Sequence, residues 1–509
     1  MKNNELSVRY AKGDILSAEI TDIGNDGEGI GKVDGYTLFV KDAVIGDRVK
    51  VKIMKAKKNY AYAHLEEILK ESPFRQAAPC PVARACGGCQ LQSMTYERQL
   101  EFKQNKVRNN IVRLGGFDGD FIDSVTEPII GMDEPWRYRN KAQFPVGRDK
   151  NGNIVAGYYA GRTHSIIPVS DCLIGIKENK EILDIILGHM EKYRIEPYDE
   201  ESGSGLVRHV LIRKGFESGQ IMVCLVLNYL GKKDGENRHK GHQDHSEITD
   251  SKAAGNFFSA QEELVERLSR IEGMASISVS INTEKTNVIM GRDIITIWGS
   301  KTITDTLCGL EFEISPLSFY QVNPVQCEKL YGQAIEYAAL TGNETVWDLY
   351  CGIGTITLSM AKAAGMVYGI EIVPDAIKDA RRNAKRNGIS NAEFYCGKAE
   401  EVLPEFYEKL SKEMGKDADN SADAASGTAL HPDVIVVDPP RKGCDGACLD
   451  TMLKMQPERI VYVSCDSATL ARDLRILVDG GYELRHIRAC DMFSWSSHVE
   501  TVVLLTRVN

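Results

Sequence analysis

The chain has 509 residues, of which 43% are hydrophobic and 26% are charged, a composition typical of globular proteins with about two to four domains. No apolar run approaches the roughly 20 residues that cross a bilayer, and the N-terminus is polar, so we expect no membrane partner and a cytoplasmic protein with reduced thiols. The net charge of −10 is unusual for a nucleic-acid-binding protein, so any basic surface must be local.

Residues 1–70 have the pattern of a small β-barrel domain. Residues 15–20 and 49–53 alternate between apolar and polar side chains, and glycines punctuate residues 27–31, as short strands joined by tight turns require. Residues 48–58 contain six cations and no acid. This stretch suits contacts with a phosphate backbone, and a solvated strand and turn is the alternative.

Three closely spaced cysteines, Cys80, Cys86 and Cys89, follow the barrel segment. The glycine and proline residues around them favour a loop folded around a metal, and Cys172 is the best candidate for a fourth ligand. Zinc and a [4Fe–4S] cluster both accept four thiolates, and the spacing does not separate them. Plain thiols are a further alternative, whereas disulfides are disfavoured in the cytoplasm.

Residues 71–300 are predicted to form a mixed α+β domain. Strands are predicted at 207–213 and 220–226, and a polar amphipathic helix at 92–115. Residues 136–141 interleave aromatic side chains with cations, as an RNA-facing surface would. Coverage of a sheet edge explains the same pattern.

Two polar stretches fit no predicted element. Residues 231–255 carry His239, His242 and His245 at three-residue intervals, which allows a metal site but favours a disordered surface loop. Residues 411–430 are rich in Asp, Ala and Ser and are interpreted as a solvated insertion.

Strands and helices alternate over residues 301–509, as in a doubly wound, Rossmann-like α/β domain whose last two strands are antiparallel. The strand at 345–350 leads into a glycine turn at 351–354, and a second strand ends at Glu371. Glycines allow close approach of a ligand, and the acid can accept hydrogen bonds from ribose hydroxyls. Since the turn lacks GxGxxG spacing, we expect S-adenosylmethionine and not a dinucleotide, with a purely structural turn as the alternative.

Three more chemical groups are predicted at strand ends. Cys465 stands between a buried strand and a helix, Asp438 ends a buried strand, and Glu500 stands at the mouth of the last strand. A helix N-terminus lowers a thiol pKa, so we expect a reactive Cys465. The alternatives are an inert core thiol, solvated carboxylates, and His498 as the base.

These groups suit methylation at C5 of a pyrimidine. C5 is a poor nucleophile, but thiolate addition to C6 gives an enolate whose C5 attacks a sulfonium methyl group. A base then removes the C5 proton so that the thiolate can leave. We expect Cys465 to supply the thiolate, Asp438 a partner for the pyrimidine edge, and Glu500 the base, with His498 left open as the alternative base.

Five motifs resemble those of the RNA uracil-5-methyltransferase family in its 23S rRNA branch. They are Ser-Cys-Asp at 464–466, Asp-Pro-Pro-Arg at 438–441, the turn at 349–354, His-Val-Glu-Thr at 498–501, and Ser-Phe-Tyr-Gln-Val-Asn at 318–323. The resemblance runs from about residue 10 to the end, apart from the two insertions, and residues 1–70 resemble a TRAM domain, an OB-like RNA-binding module.

The resemblance implies Cys465 as the nucleophile and Glu500 as the proton acceptor. It implies cofactor contacts from Gln321, Tyr350, Thr355, Glu371 and Asp438. It implies a [4Fe–4S] cluster on Cys80, Cys86, Cys89 and Cys172. Thr355 departs from the Asn common in the tRNA branch, so its cofactor contact carries over least.

We therefore expect a multidomain α/β enzyme with an OB-like barrel at 1–70, an iron–sulfur domain at 71–300 and a class I methyltransferase domain at 301–509. The helix at 92–115 is expected to pack on the catalytic domain.

The predicted function is S-adenosylmethionine-dependent methylation of uridine C5 in 23S rRNA by a monomer, because the tRNA branch generally lacks the barrel and the cysteine cluster. A tRNA uracil enzyme, an RNA cytosine-C5 enzyme and a non-catalytic ribosome-assembly factor are the alternatives. Arg441 argues against cytosine, because cytosine enzymes usually have an extra Cys there.

Overall fold

The computed structural model describes residues 10–160, 163, 165–229, 255–417 and 432–508. The chain forms two compact units, which we call the first unit (Met1–Pro135 with Val325–Asn509) and the second unit (Trp136–Pro324). The expected histidine-rich loop lies outside the described residues except for Gly255. Within the described ranges, no helix is long and apolar enough to cross a membrane.

A closed five-stranded barrel begins the first unit, as predicted. Its strands are β1 (Ile15–Ile23), β2 (Gly29–Val33), β3 (Tyr36–Val40), β4 (Arg48–Ala56) and β5 (Tyr60–Lys70), in the order β1-β2-β3-β5-β4, with β4 paired back to β1. Alternate residues such as Leu38, Val51 and Ala61 are fully buried inside the barrel.

A helical segment joins the barrel to the rest of the first unit. It contains α1 (Ala83–Cys86), α2 (Tyr96–Gly115), α3 (Gly119–Val125) and β6 (Thr126–Ile130). Two faces of α2 are buried: Val107 and Ile111 belong to the large core of this unit, and Phe102 packs with Ile23 and Val44 of the barrel segment. The barrel and the large core therefore share α2.

The second unit is a mixed α+β layer. Its elements are β7 (Lys141–Arg148), β8 (Ile154–Tyr159), β9 (Ile166–Pro168), α4 (Glu178–Tyr193), β10 (Val207–Lys214), β11 (Ile221–Leu227), α5 (Gln261–Ser269), β12 (Met274–Ile281), β13 (Asp293–Gly299), β14 (Ile303–Leu307) and β15 (Leu310–Ile314). Seven strands form one sheet in the order β13-β12-β11-β10-β7-β8-β9, and β14 pairs with β15.

The rest of the first unit alternates helices and strands. Its elements are α6 (Pro324–Ala338), β16 (Thr345–Asp348), α7 (Thr355–Ala361), β17 (Met366–Glu371), α8 (Pro374–Arg386), β18 (Ala392–Cys396), α9 (Ala399–Asp417), β19 (Val434–Val437), α10 (Gly446–Met455), β20 (Arg459–Ser464), α11 (Ser467–Asp479), β21 (Tyr482–Cys490) and β22 (Glu500–Arg507).

These strands form a doubly wound sheet in the order β18-β17-β16-β19-β20-β22-β21-β6. The predicted antiparallel pairing of the last two strands is confirmed. The strand order reverses between β16 and β19, and ligands of such sheets bind beyond the carboxyl ends of the strands at that point. The edge strand β6 pairs in parallel with β21. Its residues come from the range 71–300, which was expected to form a separate domain.

The second predicted insertion is partly wrong, because α9 runs through to Asp417 and residues 411–417 are helical. Lys412, Glu413 and Met414 favour a helix, and the polar composition of the whole stretch obscured this local preference. Residues 418–430 lie outside the described part of the chain.

Candidate active site

The glycine turn between β16 and α7 lies at the switch point of the sheet. Gly352 and Gly354 have φ angles of 54° and 88°, in the left-handed region that favours glycine. The Cys351 amide donates to the Ile370 carbonyl at 2.9 Å, which fixes the turn against β17. The turn therefore brings the N-terminus of α7 to the carboxyl ends of two parallel strands.

Two acids flank this turn. Glu371, at the end of β17, accepts from the Gly352 amide at 3.3 Å and from the Val373 amide at 2.9 Å. Asp348, at the end of β16, is fully buried and accepts from the Thr357 hydroxyl at 2.7 Å. Burial raises the pKa of Asp348 to about 6. Sequence reasoning missed Asp348, although its strand-end position is the same signal that marked Glu371.

The phenol of Tyr350 is partly buried. Burial, reinforced by the Cys444 and Cys448 thiols, raises the pKa of Tyr350 far above its usual value, so the phenol stays protonated. Thr355 opens α7, and its hydroxyl lies 3.3 Å from the Tyr331 hydroxyl.

Asp438, Cys465 and Glu500 stand at one edge of the sheet. Asp438 follows β19, Cys465 follows β20 and Glu500 begins β22, and these three strands are neighbours. Ser464 pairs with Thr501, so Cys465 and Glu500 leave adjacent strands at the same level. Glu500 is only 9% exposed, whereas Cys465 and Asp438 are partly exposed.

The pKa values of the Glu500 and Asp438 carboxyl groups are raised toward neutral pH. Burial, reinforced by the charge of Asp438 and opposed by Arg441, raises the pKa of Glu500 to about 8. Burial and the charge of Asp348 raise the pKa of Asp438 to about 7. A carboxyl with a pKa near the working pH can both accept and return a proton.

The predicted lowering of the Cys465 pKa is wrong. Burial, Glu500 and Asp438 raise it to about 11, and Arg441 opposes them only in part. The helix N-terminus that should have lowered it is occupied by Asp466. This N-cap accepts from the Ala468 and Thr469 amides at 2.8 and 3.3 Å.

His498, the alternative base, lies close to several cations. Burial lowers its pKa, and Arg441, Lys106 and Lys103 lower it further, while Asp466 opposes them. Its ring lies edge-on to Phe493, with centroids 6.3 Å apart. The lowered pKa keeps the His498 imidazole uncharged near neutral pH.

The segment before Glu500, residues 491–499, is held by α2; we call it the entry segment. Lys103 and Asp491 are both fully buried and form an ion pair of 2.5 Å, and Lys103 also donates to the Phe493 carbonyl at 2.9 Å. Lys106 donates to the Ser497 carbonyl at 2.9 Å. No local pattern could reveal partners that lie more than 380 residues apart in the chain.

Gln321 belongs to the second unit, in the loop after β15. Asn140 fixes this loop by donating from its side chain to the Gln321 carbonyl at 3.0 Å and from its backbone to the Val322 carbonyl at 2.8 Å. Arg213 donates to the Ser315 and Ser318 carbonyls at 3.2 and 2.9 Å.

The four predicted metal ligands are divided between the units. Cys80, Cys86 and Cys89 belong to the first, and Cys172 to the second. All four are partly exposed free thiols, the donors that zinc and iron–sulfur clusters use. In the part of the chain that the structure describes, however, no three Cys, His, Asp or Glu side chains form a group that could hold a metal ion.

Comparison with known proteins agrees with this arrangement. Residues 252–508 match the family described as tRNA (Uracil-5-)-methyltransferase, and residues 10–65 match the TRAM domain. The chain is 44% identical to an uncharacterized RNA methyltransferase of Halalkalibacterium halodurans over 98% of both chains. It is 43% identical to one of Clostridium tetani over 96% of this chain and 95% of that one.

A solved structure extends the likeness to three dimensions. The tRNA (uracil-54, C5)-methyltransferase of Pyrococcus abyssi, in complex with S-adenosyl-L-homocysteine, has a TM-score of 0.70 and 25% identity, over 96% of this chain and all of that one. The chain belongs to the tRNA (uracil-5-)-methyltransferase family. It is an RNA methyltransferase with the fold of class I S-adenosylmethionine-dependent methyltransferases and an N-terminal TRAM domain.

Proposed function

We propose that the enzyme methylates C5 of uridine in 23S rRNA through a covalent adduct between Cys465 and C6 of the base. One observation supports this chemistry. The Cys465 thiol and two carboxyl groups with raised pKa values, Glu500 and Asp438, lie at the ends of three adjacent strands. A target uridine must leave its stack to reach them.

Each group has a separate task in this proposal. The Cys465 thiol gives its proton to solvent, and the thiolate sulfur forms a bond to C6 while the electrons of the C5–C6 double bond move toward the C4 carbonyl oxygen, which makes C5 nucleophilic. S-adenosylmethionine, when bound, would supply the methyl group that C5 takes, with S-adenosylhomocysteine as the leaving group. Glu500 then takes the C5 proton, the C6–sulfur bond breaks, and the double bond between C5 and C6 is restored. Asp438 pairs with the polar edge of the base.

The cofactor contacts are part of the same proposal. Glu371 stands opposite the glycine turn, where its carboxylate can accept from ribose hydroxyls. Tyr350 and Thr355 border that turn, and Gln321 and Asp438 are the further cofactor contacts that the resemblance implies.

The choice of 23S rRNA rests on the resemblance of the five motifs to the 23S rRNA branch and on the barrel and four-cysteine set, which the tRNA branch generally lacks. The tRNA enzyme of Pyrococcus abyssi aligns along 96% of this chain, so the accessory domains alone do not separate the two substrates. That likeness makes tRNA the second candidate. The [4Fe–4S] cluster on Cys80, Cys86, Cys89 and Cys172 is likewise a proposal that rests on the resemblance and on the chemistry of four thiols.

The covalent step is tested with RNA that carries 5-fluorouridine, in which the base has no removable C5 proton. The wild-type protein with S-adenosylmethionine should form a stable protein–RNA adduct, and Cys465→Ala should form none. Glu500→Gln should accumulate an adduct on ordinary RNA, because release needs the C5 proton to leave. Adduct formation by Cys465→Ala would contradict the assignment of the nucleophile.

A further inference from the structure

Three cations converge at the start of β7 in the second unit. Lys141 on β7 pairs directly with Arg213 on β10, so two like charges face each other across the sheet. Arg139 turns back over the same residue, with its Nε donating to the Lys141 carbonyl at 3.1 Å. Like charges opposite each other destabilise a sheet, so this arrangement calls for another explanation than stability.

Neighbouring cations are neutralised, whereas two members of this cluster are not. Arg137 pairs with Asp171 at 2.5 Å and Lys214 with Glu178 at 2.6 Å. For Arg139 and Lys141, no carboxylate within the described residues forms an ion pair.

Arg213 is committed to the protein, since it is 1% exposed and donates to two backbone carbonyls. The Lys141 ammonium has no hydrogen-bond acceptor in the described part of the chain and is partly buried. Burial, Arg213 and Arg139 lower its pKa to about 8. Holding positive charge in this cluster therefore costs free energy, and a bound anion would offset that cost.

The cluster adjoins the loop that carries Gln321. Asn140, between the two unpaired cations, holds the Gln321 and Val322 carbonyls. An ammonium beside a guanidinium suits a phosphate oxygen, and a chain with a net charge of −10 must bind RNA through such local sites. We propose that Arg139 and Lys141 bind a phosphate of the RNA backbone beside the Gln321 loop. This inference rests on the proposed RNA substrate.

The test is the salt dependence of RNA affinity for the full-length protein, measured with unmethylated 23S rRNA and with bulk tRNA. Lys141→Gln should reduce the slope of log affinity against log salt by about 0.7–0.9, the value for one lost phosphate contact. Lys141→Arg should retain the slope. Lys180→Gln is the matched control, because Lys180 is already paired with Asp184 on the surface of the same unit.

Two further measurements separate the explanations. The melting temperature of Lys141→Gln should equal or exceed that of wild type, since a like-charge contact is relieved, and affinity for S-adenosylhomocysteine should not change. An unchanged slope in both Lys141→Gln and Arg139→Gln would overturn the site. So would weaker S-adenosylhomocysteine binding with unchanged RNA affinity, because the anion would then be the cofactor carboxylate. Absence of methylation by the wild type would instead overturn the proposed function.

Discussion

Burial and two neighbouring carboxyl groups, Glu500 and Asp438, together make the Cys465 thiol less acidic than an ordinary cysteine. Groups of like charge disfavour each other's ionised forms, so the Glu500 and Asp438 carboxylates add to the effect of burial and keep the thiol protonated. Positive charge from Arg441 opposes this effect. Formation of the thiolate is thus coupled to the protonation of the base that acts later.

Glu500→Gln should lower the pKa of Cys465 below about 11, because the variant lacks a carboxylate that raises it. The sign follows from charge: above pH 8 the native Glu500 is ionised and repels the thiolate, whereas glutamine stays neutral. The measurement is the pH dependence of Cys465 alkylation by iodoacetamide, followed by peptide mass spectrometry. Glu483→Gln is the control, on the exposed face of β21. An unchanged or higher midpoint in Glu500→Gln would contradict the proposed electrostatics.

Sequence alone could place these residues but could not give their acidity. Parallel strands end at one edge of a sheet, so Asp438 and Cys465 were predictable as neighbours from the strand pattern. The sign of the thiol pKa shift depends on burial by distant segments and on the charges of Glu500 and Asp438. The Asp466 N-cap could be read from the local sequence, but the burial of the thiol could not.

At the level of elements, α2 and the entry segment support the catalytic base. Glu500 begins β22 directly after residues 491–499, whose position is fixed by Lys103, Lys106 and Tyr96 from α2. The sequence predicted the helix from its amphipathic pattern. It could not predict the buried Lys103–Asp491 pair or the pairing of β6 with β21, because both depend on long-range contacts.

Lys103→Met should destabilise the protein by about 3–5 kcal/mol, since it leaves the buried Asp491 carboxylate without its partner. Methylation turnover should fall more than cofactor affinity, because the entry segment leads to Glu500 and not to the glycine turn. Chemical denaturation, turnover and S-adenosylhomocysteine binding measure these effects. Lys378→Met removes an exposed ion pair with Asp375 and should cost less than about 1 kcal/mol. Equal effects of the two variants would contradict a role for the buried pair.

The cysteine loop around α1 makes a separate prediction. Anaerobically purified protein should contain about four iron atoms and absorb broadly near 400 nm, as [4Fe–4S] thiolate clusters do. Cys86→Ser should lose the iron, and Cys396→Ser should keep it, because Cys396 is an exposed thiol outside the proposed ligand set. Iron-free wild-type protein with stoichiometric zinc would refute the cluster.

For the whole molecule, the sequence predicted the kinds of domain better than their arrangement. The barrel and the doubly wound sheet follow from strand alternation and from the regular exchange of strands and helices. The first unit is discontinuous, because segments before Pro135 and after Val325 share one core. Composition and periodicity do not reveal such joining, since they describe neighbours in sequence.

The central claim is tested most directly by offering the purified enzyme unmethylated, protein-free 23S rRNA and bulk tRNA, with S-adenosylmethionine, and counting 5-methyluridine in each. We expect 5-methyluridine in the 23S rRNA, little in the tRNA, and none in either with Cys465→Ala. Efficient methylation of tRNA with none in 23S rRNA would contradict the proposed substrate, and activity retained by Cys465→Ala would contradict the proposed chemistry.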